Sequence, residues 1–163
     1  MLKTVETVRM YSVPFRDERV SRLISWYVEA LQRAIDVIWE GIEWRHDFKN
    51  YRKRRCLKVK VPVLPKNSRF KRELRDRLMG ENPYARHWVD AVIRTAYSIV
   101  ESWRKRYVKG RAKKCKPRVK RRFARCKITL MKVDYERKVI RITLKPYEYV
   151  EIPFGNSWFA KQG

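Results

Sequence analysis

Lys109 to Lys127 reads KGRAKKCKPRVKRRFARCK; eleven of these nineteen residues are Lys or Arg and none is Asp or Glu. The chain changes its rhythm across this stretch. Ahead of it, Trp88, Val92, Ala96, Ile99, Val100 and Trp103 recur every three or four positions, which predicts a helix with one buried stripe. Asn82 fits its cap, Pro83 its first position and Gly110 its end. Behind it, CKITLMKVD and KVIRITLKP alternate with a period of two, joined by Tyr135-Glu136-Arg137 in a hairpin connection. YEYVEIPF predicts one more strand. The basic strip, with Lys116-Pro117 inside it, is therefore the place where helix gives way to sheet.

Working outward toward the N-terminus, Val5, Val8 and Met10 alternate with Lys3, Glu6 and Arg9 and predict a strand that Pro14 ends. Val20, Leu23, Ile24, Leu31, Ile35, Ile38 and Ile42 form a single apolar stripe, so a long helix is expected from Asp17 to Trp44. Arg22, Glu29, Arg33, Asp36 and Glu40 occupy its polar side. Residues 46–68 break that pattern, and LKVKVPVLP suggests a short edge segment limited by Pro62 and Pro65. A short helix is expected from Arg69 to Met79, stopped at Gly80. The fold class is α+β. A small barrel-like strand group (1–15 and 117–155) would carry an inserted helical lobe (16–116), with 156–163 as a tail or the start of a further domain.

Composition narrows the partner. The 163 residues are 44% hydrophobic and 13% aromatic, which is enough for a core and speaks against disorder throughout. Forty-two cations stand against 17 carboxylates, a net charge of +25. Surface ion networks, the thermophile's use of Lys and Arg, need matching acids, and these are too few. A polyanion answers the imbalance better, and nucleic acid is the first such partner, because neutralising phosphates releases counterions. No run approaches the roughly 20 apolar residues of a membrane helix, and the N-terminus lacks a signal peptide's apolar centre. An intracellular place, cytoplasmic or against the nucleoid, is expected, with no membrane partner. Cys56, Cys115 and Cys126 are odd in number and widely spaced, so they read as reduced thiols rather than a zinc site.

No catalytic set can be assembled. His46 and His87 lack a nucleophile or metal-ligand companion at useful spacing. Asp134 and Glu136 flank a turn, where such residues serve turn chemistry, and five glycines leave no phosphate-binding glycine loop. The expectation is a binding protein, not an enzyme, with no cofactor. The candidate contacts are Arg52, Lys53, Arg54, Arg55 and Lys58 in the first basic cluster. In the strip they are Lys113, Lys114, Lys116, Arg118, Lys120, Arg121, Arg122 and Arg125. Tyr51 offers a ring for stacking, whereas Phe123 is expected to pack inward, as are Trp26, Trp39, Trp88 and Trp103.

The stretch HWVDAVIRTAYSIVESWRKRYVKGRAKKCKPRVKRRFARCKITLMKVDYERKVIRITL resembles the N-terminal half of TnpB proteins, the transposon-encoded OrfB-type RNA-guided nucleases related to type V CRISPR effectors. The likeness lies in an aromatic-rich helix ending near Trp103, then a glycine, a basic stretch, Lys116-Pro117 and a hairpin of strands. VETVRMYSVPFRDERVSRLISWYVEALQRAIDVI also fits, as a first strand leading into a long helix. The resemblance implies a wedge-like barrel holding the guide RNA scaffold and an inserted recognition lobe holding the guide–target duplex. Such proteins cut with a RuvC-type domain that follows the barrel and holds divalent metal on three acidic residues. None of Asp134, Glu136, Glu148 or Glu151 has the required glycine-flanked setting, and the family's zinc ribbon is missing. The resemblance thus implies the nucleic-acid-holding part of a TnpB-like protein without its nuclease domain, with metal needed only if that domain follows. A stand-alone archaeal or viral DNA- or RNA-binding protein, regulatory or packaging in role, is the alternative.

Overall fold

The computed structural model describes Met10, residues 12–51 and 55–155; for residues 47–51 and 55–59 it describes the backbone. Helix α1 spans Glu18–Glu40, its first turn capped by the Asp17 carboxylate, which accepts from the Arg19 amide. Leu23, Tyr27, Ala30, Leu31, Ala34, Ile35 and Ile38 are its buried stripe. The helix stops at Gly41 rather than running on to Trp44, and the close packing at that position admits only glycine. A Cβ on Gly41 would lie 2.9 Å from both the Phe70 ring and the Pro65 ring. The chain turns there and enters strand β1, Glu43–Tyr51.

β1 pairs antiparallel with β2, Arg55–Val63, in register from Glu43 opposite Val63 to Tyr51 opposite Arg55. The expected short edge segment is thus the second arm of a hairpin of two nine-residue strands. Its first arm, EWRHDFKNY, has too few β-branched residues to announce itself. Helix α2 follows at Ser68–Met79, with Asn67 accepting from the Phe70 amide at 2.7 Å and Leu74 and Leu78 buried.

Helix α3 spans Arg86–Val108 and packs along α1. It begins later than the expected Asn82 cap. Asn82 instead closes a turn on Tyr84, accepting from its amide and donating to its carbonyl. Pro83 lies in that turn, and Ala85 stands at the cap without a side-chain bond. The other end is as expected: Gly110 takes φ +74°, its amide reaches the Tyr107 carbonyl, and the Arg111 amide reaches that of Arg106. This pair of bonds is a Schellman closure, which requires a left-handed residue at that point.

After the basic strip, a 3-10 turn at Ile128–Leu130 leads into β3 (Met131–Asp134), β4 (Val139–Lys145) and β5 (Glu148–Pro153), an antiparallel sheet in chain order. The first of these strands is shorter than CKITLMKVD because Ile128–Leu130 winds into the turn. Asp134 accepts from the Glu136 and Arg137 amides, the turn chemistry expected of it. Leu144 and Val150 are buried on one sheet face, with Ile142 and Ile152 beside them. That face continues the core of α1, α2 and α3. Among the described residues the strands form two open sheets, of two and three strands, and no barrel closes. Residues 1–9 and 11, to which the expected first strand belongs, and the tail 156–163 lie outside the described residues.

Candidate nucleic-acid interface

From Gly110 to Lys127 the backbone makes no helix or strand, yet it is anchored along its length. At its start the Trp103 indole N–H donates to the Lys113 carbonyl at 2.9 Å. Trp103 is buried in a cluster of rings, with centroids 4.6 Å from Trp39, 6.1 Å from Trp44 and 5.1 Å from Tyr107. Lys114 holds its ammonium 4.3 Å over the Trp44 ring, a cation–π contact. The strip then runs back along α1 in the opposite direction. Lys116 meets Asp36 at 3.0 Å, Gln32 donates to the Pro117 carbonyl at 3.3 Å, and Gln32 accepts from the Val119 amide at 2.9 Å. Further on, Arg122 donates to the Ser25 hydroxyl at 2.9 Å and to both oxygens of Ser21. Phe123 lies edge-on to Tyr27 at 6.1 Å.

These anchors sort the side chains. Ala112, Val119, Phe123, Ala124 and Cys126 turn inward against the core. Lys113, Lys114, Arg118, Lys120, Arg121, Arg122 and Arg125 are exposed, and Lys116 is half-buried against Asp36. Apart from Lys116, none of these cations is within ion-pair distance of a carboxylate among the described residues. An extended chain advances at most about 3.6 Å per residue, so Arg118, Lys120 and Arg122 stand at intervals of no more than about 7 Å. That is about twice the 3.4 Å charge spacing along one strand of a duplex. Positive charge with no carboxylate partner among the described residues, on a backbone already held in place, is suited to phosphate. A ligand need not first be spent on ordering it.

Beneath the strip, the Tyr27 hydroxyl and the Thr95 hydroxyl share a buried 2.7 Å hydrogen bond, and Thr95 donates to the Ala91 carbonyl at 2.8 Å. Burial holds the Tyr27 phenol above its ordinary pKa, against the pull of the Thr95 bond. Burial also pushes the Cys126 thiol up to about 11, so it stays protonated at neutral pH. Cys115 is exposed, and both are free thiols.

Two hollows border the strip. One of about 590 Å³ lies between Arg122 and the start of α1, with Phe15, Arg16 and Ile24 in its wall. Another, about 380 Å³, lies between α3 and the end of the strip, where Arg94, Arg125 and Lys127 converge near Ser98. Arg16, Arg94 and Lys127 are cations that sequence reasoning did not single out. Arg16 and Arg94 stand alone in sequence, and only the packing of the strip on the helices brings them to Arg122 and Arg125.

The other basic cluster is placed less fully. Arg52, Lys53 and Arg54 lie outside the described residues. Arg55 and Lys58 hold strand positions opposite Tyr51 and Phe48. His46 is exposed on β1, and His87 is half-exposed at the start of α3 with Asp90 3.8 Å away. Among the described residues no three His, Cys, Asp or Glu side chains are grouped to hold a metal ion. Among them, too, no helix is long and apolar enough to cross a membrane.

Residues 23–143 match the family described as the uncharacterized protein MJ0013 family. The chain is 42% identical over 149 residues to the uncharacterized protein MJ0013 of Methanocaldococcus jannaschii, covering 86% of this chain and 91% of that protein. It is also 42% identical over 130 residues to the TnpB-like protein MJ1635 of the same organism. This second match covers 79% of the chain but only 28% of the relative's length. No solved structure matches the chain.

Proposed function

The chain belongs to the MJ0013 family, and from that premise we propose that it is the nucleic-acid-holding region of a TnpB-like protein, binding guide RNA and target DNA. In this reading the C-terminal sheet belongs to a wedge that grips the RNA scaffold. The α1–α3 lobe would flank the guide–target duplex, and the basic strip lies where the two meet. The region binds rather than cuts. Phosphate contacts along the strip would set position, while base pairing reads sequence. The observation that carries this reading is the anchored strip with seven exposed, carboxylate-free cations. The match to the TnpB-like relative supplies the choice among polyanions.

The test is the salt dependence of binding. Each phosphate contact contributes about 0.7 to the slope of log K against log salt on a single strand and about 0.9 on a duplex. Replacing Arg118, Lys120, Arg121 and Arg122 with Ser is expected to reduce that slope by roughly 3, measured by fluorescence anisotropy on labelled RNA. A slope equal to the parent's would remove the strip as the contact surface. The near-full-length match to MJ0013 favours a second reading, in which a chain of this reach acts alone as a DNA- or RNA-binding protein. Under that reading, no guide RNA with a fixed scaffold co-purifies with the protein.

A further inference from the structure

The three-stranded sheet has a second face. Ile142, Leu144, Val150 and Ile152 point to the core, so by strand alternation Arg141, Thr143, Tyr149 and Glu151 point away from it. Lys132 of β3 joins that outer row opposite Arg141. Here the Arg141 guanidinium lies over the Tyr149 ring, 3.7 Å from its centroid. The carboxylate that stands opposite Arg141, Glu151, is taken up by Arg137 through two bonds of 3.0 and 2.8 Å. Neither Arg141 nor Lys132 is therefore within ion-pair distance of a carboxylate among the described residues.

At the end of the same sheet, β4 and β5 are joined by a two-residue turn, Pro146-Tyr147. Tyr147 has φ +63° and is 93% exposed. Gly or Asn takes this left-handed conformation without strain, and a bulky side chain rarely does. The ring packs on no other ring among the described residues. A strained, fully exposed aromatic next to an Arg-stacked aromatic gains nothing for the fold, and strain of this kind is held at sites of use.

We propose that this outer face and the turn at its end, through Tyr149 and Tyr147 with Arg141 and Lys132 beside Tyr149, form a stacking platform for unpaired RNA nucleotides. One base would lie on the Tyr147 ring and another on the face of Tyr149 that Arg141 does not cover, with Lys132 on an adjoining phosphate. The Thr143 hydroxyl, opposite Tyr149, is placed among polar partners available to a ribose 2′-hydroxyl. The choice of RNA over DNA rests on the function proposed above. The platform itself rests on the sheet alone.

The experiment uses the full chain and a labelled uridine oligomer of about 12 nucleotides, within the span such surfaces cover. A thymidine deoxyoligomer of equal length and a DNA duplex are the comparison probes. Tyr147→Gly is expected to weaken RNA binding about 5- to 20-fold, at the lower end of what loss of one stacked base costs. It leaves the salt slope unchanged, because no phosphate contact is lost. The thermal midpoint stays level or rises, since Gly relieves the strained turn. Tyr149→Ala is expected to weaken binding about tenfold, and Tyr149→Phe to retain it. Parent-like binding by both Tyr147→Gly and Tyr149→Ala overturns the platform. An equal loss on the deoxyoligomer overturns the assignment to RNA, and an equal loss on duplex overturns stacking. If the Tyr variants are silent while the strip variant flattens the slope, the platform alone fails. If the strip variant is silent while these lose RNA, the strip reading fails instead.

Discussion

Two surfaces of this molecule hang from one helix by the same device. Near the C-terminal end of α3, the Trp103 indole N–H donates to the Lys113 carbonyl and holds the basic strip. Near its N-terminal end, the Trp88 indole N–H donates to the Thr143 carbonyl at 2.8 Å and holds the sheet. Both rings are buried, and each bond ties later backbone to the same rod, ten positions on at Lys113 and 55 positions on at Thr143. The surfaces so held differ in kind. The strip presents cations in irregular backbone, and its apolar residues all turn inward. The sheet presents aromatic rings with cations beside them, on a hydrogen-bonded ladder. Charge alone suits a phosphate chain, whose position matters but whose bases are not read. Rings on a rigid ladder suit bases, whose faces need a flat partner.

The largest effect should come from breaking the two anchors in turn. Trp103→Ala and Trp88→Ala are each expected to cost about 3–5 kcal/mol in chemical denaturation, the range for a buried aromatic truncated in a core. The comparison is sharpened by what else each loses. Trp103→Ala should raise amide exchange in the strip ahead of the sheet, and Trp88→Ala the reverse. If both variants loosen both surfaces equally, the two are one cooperative unit.

A middle-sized effect is expected at Gln32, which gives the strip hydrogen bonds on both sides of Arg118. Gln32→Ala leaves the Val119 amide and the Pro117 carbonyl without their partner in a half-buried place. The expected cost is about 1–3 kcal/mol, with faster exchange at the Val119 amide and no change in the sheet. Unchanged exchange at Val119 would mean that Trp103 and the inward apolar residues hold the strip by themselves.

The smallest effect on stability, with the opposite sign for binding, is expected at Asp36. Its pair with Lys116 is more than a third exposed on both sides, so Asp36→Asn should change stability by no more than about 1 kcal/mol. Lys116 is then free for phosphate, and the salt slope on RNA should steepen by about 0.7. A slope that stays put would exclude Lys116 from the surface the other strip cations form.

How much of this was legible in one dimension depends on the range of the forces involved. The stripes of α1 and α3 are periodic, so Leu31, Ile35, Val92 and Val100 could be assigned to the core without a structure. The strands' alternation called for one buried face, which the structure fills with Leu144 and Val150, and Phe123 sits against the core as expected. Trp44 continued the helical spacing, and nothing local contradicted it. The helix nevertheless ends at Gly41, a position where Phe70 and Pro65, well downstream, occupy the space a side chain would need. The first arm of the hairpin escaped notice because its pairing partner, not its own composition, makes it a strand.

The basic strip was visible at once as charge, since net charge is a sum that ignores geometry. Its path was not visible. Gln32 and Val119 are 87 positions apart, and Ser21 and Arg122 are 101 apart. No periodicity links such residues, because a hydrogen bond between them becomes available only after the helices have packed. Amino-acid order therefore determined the helices, the strand rhythm, the charge and the point where one regime yields to the other, all properties of neighbours within a few residues. The tertiary structure decided which cations stand together and free of carboxylates, and which ring is left in the open. Those outcomes depend on what packing brings within a few ångströms, and local sequence has no means of specifying it.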